Sequence, residues 1–141
     1  MRAEPPLHSV SVTGVVVRTD GRVLAIRRSD DGRWVPPGGV LELDERPEVG
    51  VVREVLEETG VTVASEVLTG VYKNMVLGVV TLAFRCRVVE GGGHATPEAA
   101  EVAWLTVDEA VERMPEARGV RVVDAFAGGP FVRVHDGDRL L

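Results

Sequence analysis

The sequence predicts an α+β domain, in which several strands mix with two or three helices to give an α+β or α/β/α arrangement. Three observations point there. Apolar residues make up 45% of the chain but aromatic residues only 4%, and much of the apolar content is valine, whose branched Cβ suits a pleated strand. Short apolar runs are separated by Asp-Gly and Gly-rich turn signals. A longer segment, 47–59, is bracketed by Pro47 and Gly60 and carries helical periodicity.

The elements follow in order. Residues 10–18 read as a strand centred on Val15 to Val17, Asp20-Gly21 as a hairpin turn, and 23–28 as the returning strand. The Ser29 to Arg33 stretch is a polar loop. Trp34-Val35-Pro36-Pro37-Gly38-Gly39 must run extended and then turn, because proline fixes φ and disfavours helix before it. A helix occupies 47–59 and stops at Gly60. Residues 61–71 and 76–89 read as strands, with Tyr72, Lys73 and Asn74 in the turn between them and a bulge at Gly78. Gly91-Gly92-Gly93 is a loop and 101–106 a short strand. Residues 108–114 and 116–126 are helical, separated by Pro115, and 131–134 close the chain as a last strand.

With 141 residues, the chain is expected to form one domain over 1–141 with a real core. No apolar run is long enough for a bilayer, and 1–7 is polar and Pro-rich, unlike a signal peptide, so a cytoplasmic protein without membrane attachment is expected. The lone Cys86 lies in an apolar stretch and is expected in the core, not at a reaction centre. A formal net charge of −6 disfavours binding to long nucleic acids. It leaves room for a small phosphorylated ligand, because a metal can bridge an acidic site and an anion.

The helix over 47–59 holds the chemistry. At 100° per residue, Val49, Val52, Val55 and Leu56 fall on one side, where they could pack against a sheet. Glu54, Glu57 and Glu58, at i, i+3 and i+4, fall on the other. Like charges at this spacing weaken a helix, and two of them lie near its C-terminus, where the macrodipole disfavours them. A hard divalent cation with oxygen ligands would offset both effects. Gly50, on the carboxylate side, is expected to leave clearance for a metal and a phosphate. Taken alone, the helix reads more readily as a solvated acidic face.

The surrounding spacing changes that balance. Gly39, five residues, Glu45, seven residues, then Arg53-Glu54-Val55-Leu56-Glu57-Glu58-Thr59-Gly60-Val61 resembles the complete Nudix box, G-x5-E-x7-R-E-U-x-E-E-x-G-U, where U is a bulky aliphatic. The approach Trp34-x-x-Pro37-Gly38-Gly39 is similar to that of the family as well, and Glu42 stands where many members carry a glutamate. Asp44 departs from the glycine often found before the first box glutamate and is expected to alter only the loop.

The resemblance implies the Nudix fold, a mixed β-sheet sandwiched between helices as α/β/α. It implies a magnesium-dependent hydrolase, with Mn2+ able to substitute, that cuts a diphosphate linkage in a nucleoside diphosphate-X compound. Nucleoside triphosphates, ADP-ribose, nucleotide sugars and dinucleotides are all open as substrates. The catalytic set it implies is Glu54, Glu57, Glu58 and Arg53, with Glu54 the first choice for base and Glu57 and Glu58 for metal ligands. The carbonyl of Gly38 or Gly39 would complete the metal shell, Gly39 lying against substrate. Arg53 and Glu45 would also hold the loop-helix-loop together.

Outside the box, Glu98 and Glu101 both precede Trp104, in a region where some members supply another metal ligand, and Glu101 is preferred. Of Arg27 and Arg28, strand alternation sends one into the cleft toward phosphate and the other to solvent. Tyr72 could contact a base or sugar. Trp34 is expected to pack, and His8, His94 and His135 show no metal spacing. The partner implied is a small nucleotide, and a homodimer is left open. The rival reading is a noncatalytic Nudix-like domain that senses a nucleotide, and the retained glutamates argue against it.

Overall fold

The computed structural model describes residues 4–141. The reading of 1–7 as polar and Pro-rich falls partly on residues 1–3, which lie outside the described residues. Among those described, no helix is long and apolar enough to cross a membrane.

Strands β1 (Ser9–Val17) and β2 (Val23–Arg28) are joined at Asp20-Gly21. There the Asp20 carboxylate accepts from the Arg22 amide at 3.1 Å. Strand β3 (Trp34–Val35) pairs with β2, and β4 (Gly38–Val40) pairs with β1. Helix α1 (Pro47–Thr59) follows, then the long hairpin of β5 (Thr62–Asn74) and β6 (Val79–Glu90). After β7 (Ala99–Leu105) come α2 (Val107–Arg113), α3 (Glu116–Asp124) and β8 (Phe131–His135).

All eight strands join one mixed sheet. Its main order is β3-β2-β1-β6-β5-β8, with β1 parallel to β6, β5 parallel to β8, and β7 antiparallel to β2. The α/β/α sandwich appears in how side chains alternate along β1. Val12 and Val16 pack with Val51 and Val55 of α1. Val15 packs on the other face with Ala110 and Met114 beside α2 and Val122 of α3. Cys86 is fully buried in the first cluster, and burial pushes its thiol up to about 12, as expected of a core residue and not a nucleophile.

Three local expectations are corrected. Strand β5 runs on to Asn74, so Tyr72 and Lys73 are strand residues paired with Thr81 and Val80. The turn lies at 75–78, where the Asn74 side chain accepts from the amides of Val76 and Leu77. Gly78 is no strand bulge; it ends this turn with φ +66°.

The third concerns the buried face of α1. Its buried residues are Gly50, Val51, Val55, Glu58 and Thr59, whereas Val49 and Leu56 are exposed. The helix is rotated relative to the wheel's apolar side, so Glu58 faces inward with the valines. Gly50 serves a different neighbour as well. A Cβ there would lie 2.6 Å from Leu41 Cδ1 and 2.8 Å from the Glu45 carboxylate, so the clearance admits the loop before the helix and not a ligand.

The stop at Gly60 is as expected. Its φ of 75° is left-handed, and its amide closes the helix on the Leu56 carbonyl. A side chain in that conformation costs about 1–2 kcal/mol, and here its Cβ would also meet the His94 ring. Gly60→Ala should therefore lose at least about 1 kcal/mol of unfolding free energy in a denaturant titration. A shift within error would mean the helix end relaxes freely.

Candidate functional site

The site lies at a fork in the sheet. Strands β1 and β2 share a single register pair, Val17↔Val23, and then part. Residues 34–40 fill the gap. Val35 and Trp34 pair with Ile26 and Arg27 of β2, while 38–40 pair with Thr13, Val12 and Ser11 of β1. The two prolines between β3 and β4 suit this crossing, since it needs extended chain with few backbone donors. A cleft of about 710 Å³ opens at the fork, lined by Arg28, Gly38, Gly39, Glu54, Glu57, Glu58 and Glu98, among others.

The three box glutamates differ in surroundings. Glu58 is only 5% exposed, and its carboxylate accepts from the Gly38 amide at 2.9 Å. Burial, reinforced by the nearby charges of Glu54 and Glu98, pushes its carboxyl up to about 8 against the Gly38 bond. Glu54 keeps 12% of its side chain exposed and meets Arg53 Nη1 at 3.0 Å. Burial still raises it above the ordinary carboxylate range. Its carboxylate presses on Gly39, where an added Cβ would lie 2.5 Å from Oε2, so only glycine admits this approach. Glu57 points outward, 56% exposed, with Arg53 at 3.2 Å.

Arg53 organises the group. Its Nε and Nη2 grip the two oxygens of Glu45 at 2.6 and 2.8 Å, a bidentate pair of high geometric specificity. Its Nη1 reaches Glu54 and Glu57. The expected scaffold pair is therefore present, and the same guanidinium holds two of the box carboxylates.

Oxygen atoms of Glu54, Glu58 and Glu98 all lie within 4.8 Å of one another. This corrects the preference for Glu101, which bonds Arg27 Nε at 3.0 Å. Strands β2 and β7 pair Arg27 with Glu101, and a register shift follows between Arg27 and Arg28. Glu98 lies just before β7, where the chain can bend toward α1. Of the two arginines that end β2, Arg28 is the one that lines the cleft, bonded to Asp30 at 2.9 Å, and Arg27 does not line it. Tyr72 does not reach the cleft. It is fully buried and donates to Asp124 at 2.7 Å. Trp34 packs against the second core cluster, as expected.

Other lining residues escaped the sequence reading, notably Thr13, Arg118, Arg121 and His135. The signal available for the arginines was their i, i+3 spacing on α3, which places charge on a helix face that also carries Ala117 and Val122 inward.

Comparison with known proteins agrees with this geometry. A family model described as NUDIX domain matches residues 7–125. The chain belongs to the Nudix family. A MutT-like protein of Streptomyces ambofaciens is 59% identical over 138 residues, covering 97% of this chain and 90% of its own. The structure of a Nudix hydrolase from Nitrosomonas europaea matches with a TM-score of 0.74 and 26% identity, over 86% of this chain and 90% of that one. An ADP-ribose pyrophosphatase from Streptococcus suis shares the fold, with a TM-score of 0.77 at 17% identity over 89% and 99% of the two chains. Together, this Nudix membership and these relatives support a pyrophosphohydrolase.

The buried Glu58 makes stability depend on pH. Its carboxyl titrates about 8 when folded, against an ordinary value of 4.5, so the folded state holds the proton more tightly. The stability this contributes is complete below about 4.5 and is lost as pH rises through about 8. In chelator, Glu58→Gln should therefore melt above the parent at pH 8 by a margin that shrinks toward pH 5. Parallel melting curves for the two proteins across that range would contradict the assignment.

Proposed function

We propose that this Nudix protein hydrolyses a diphosphate linkage in a nucleoside diphosphate-X compound, with Mg2+ held by Glu54, Glu58 and Glu98. The observation that supports this most is the convergence of those three carboxylates beside Gly38 and Gly39. The donor set suits a hard divalent cation, being all carboxylate oxygen with no His or Cys among the group. The charge economy agrees. Among the described residues Glu58 has no ion-pair partner, and two of the three carboxyls are pushed up by burial. A bound cation would supply what they lack, screening the diphosphate and withdrawing charge from its phosphorus.

The chain's own groups do the rest. Glu54, steadied by Arg53 Nη1, takes a proton from the attacking water. The water oxygen bonds to one phosphorus as the bridging P–O bond breaks, and the leaving group departs with the bridging oxygen. Glu57 stands at the mouth, available as a further ligand when it releases Arg53. Arg28, at the end of β2, faces the substrate phosphates with donors that Asp30 does not consume. The backbone at Gly38 and Gly39 provides a surface that a diphosphate can approach without side chains intervening.

Glu54→Gln and Glu58→Gln should each lower kcat/KM by about 100- to 10,000-fold, measured as product release from a panel of nucleotides with Mg2+. Glu98→Gln should also reduce it, whereas Glu101→Gln should stay near the parent. Full activity in both Glu54→Gln and Glu58→Gln would sink the proposed site.

A further inference from the structure

Another part of the cleft wall, built by α3, β1 and the end of β8, gathers cationic and hydrogen-bonding groups. Arg121 of α3 is 2% exposed and lines the cleft with Arg118, Thr13 and His135. Its Nη1 donates to the Thr13 hydroxyl at 3.0 Å, which leaves the hydroxyl proton free to point elsewhere. Its Nε has no hydrogen-bond partner. Its Nη2 lies 3.4 Å from His135 Nε2. Yet His135 Nδ1 accepts from the Gly137 amide at 3.0 Å, so the neutral ring carries its hydrogen on Nε2. Two donors therefore face one another with no acceptor between them.

No carboxylate bonds to Arg121. Among the described residues neither Arg118 nor Arg121 forms an ion pair. The nearest acid on the same helix, Asp124, gives its oxygens to Arg133 at 2.7 and 2.8 Å and to the Tyr72 hydroxyl. Arg121 has only the Tyr72 ring beneath it, 5.1 Å from the centroid. Burial depresses both guanidinium groups, Asp31 and Asp138 offset this only in part at Arg118, and the charge of Arg118 lowers Arg121 further. In a chain with 22 acidic and 16 basic side chains, two neighbouring arginines without an ion-pair partner, one of them buried, are costly unless something else neutralises them.

We propose that Arg118 and Arg121, with Thr13 and the Nε2–H of His135, form a subsite for a phosphoryl group of the substrate other than the two joined by the bond being cut. Guanidinium groups bind phosphate oxygens through paired N–H donors, and every polar group on this wall is a donor or can act as one. The inference rests on the hydrolase reading for its substrate. It narrows X to a moiety that itself carries phosphate, either the third phosphoryl of a nucleoside triphosphate or one on a phosphorylated X. An uncharged sugar would leave the arginines unanswered.

Two measurements test this. The first needs no turnover. In chelator at constant ionic strength, inorganic phosphate should raise the melting temperature of the parent protein. Arg118→Gln and Arg121→Gln should need about ten-fold more phosphate, or higher, for the same rise, the loss expected for one charge-assisted hydrogen bond. Glu101→Gln, which lies outside the cleft lining, should respond like the parent. If Arg121→Gln fails to fold, the less buried Arg118→Gln decides alone. No response beyond that to chloride, or an unchanged response in Arg118→Gln, overturns the subsite.

The second compares substrates with Mg2+. Arg118→Gln should raise KM about ten-fold for substrates with the further phosphoryl and leave KM for ADP-ribose or a nucleotide sugar near the parent value. A KM rise confined to triphosphates assigns the group to the triphosphate chain, and a rise confined to phosphorylated X assigns it to X. Equal effects on all substrates would mean that the arginines hold the cleaved diphosphate, and would overturn the proposal. A parent protein that binds phosphate but turns over nothing would sink the hydrolase reading and leave the anion subsite standing.

Discussion

The carboxylate of Glu58 lies on the same face of α1 as Val51 and Val55, and its bond from the Gly38 amide ties the helix to the fork of the sheet. Much of the site depends on this placement. A buried carboxylate resists ionisation unless positive charge is brought to it, so the core itself creates the demand that a cation would meet. The bond also fixes where 38–39 stand relative to α1, and with them the approach to Glu54. Arg53 completes the arrangement from the outer side of the helix by holding Glu45 and Glu54 together. Packing and chemistry therefore use the same turns of α1, and neither can be altered without the other.

Much of the fold was legible because valine runs, Asp-Gly turns and the Pro47–Gly60 bracket are local signals. The box spacing carried the family, and the Arg53–Glu45 pair came with it. Other features depended on tertiary contacts. The helical wheel gave the periodicity of α1 but not its rotation, because a buried Glu58 and an exposed Leu56 reverse the usual preference for burial. The end of β5 was read three residues early, since Tyr72 and Asn74 look like turn residues until their partners are known. The choice between Glu98 and Glu101 turned on a register shift between β2 and β7. The donors around Arg121 come from β1, α3 and the end of β8, and no spacing along the chain links them.

The cleft is electrostatically two-sided. Glu54, Glu58 and Glu98 gather near α1 and β7, and Arg118 and Arg121 stand on α3 across the sheet. The excess of acid in the chain as a whole conceals this division, which is why net charge is a poor guide to a ligand that arrives with its own metal. Asp124 shows how the separation is kept, since Arg133 and Tyr72 occupy the one acid on α3 that could otherwise turn toward Arg121.

The fork between β1 and β2 also bears on mechanical coupling. The β1–β6–β5–β8 part of the sheet meets the β2–β3–β7 part through one register pair and the strap of residues 34–40. Of the charged groups in the cleft, Glu54 and Glu58 ride on a helix packed over the first part, while Arg28 and Glu98 belong to the second. A ligand that touched both sets would act as a rivet across the weakest seam of the sheet. Stiffness along that seam, and not only occupancy of the cleft, would then report whether the site is filled.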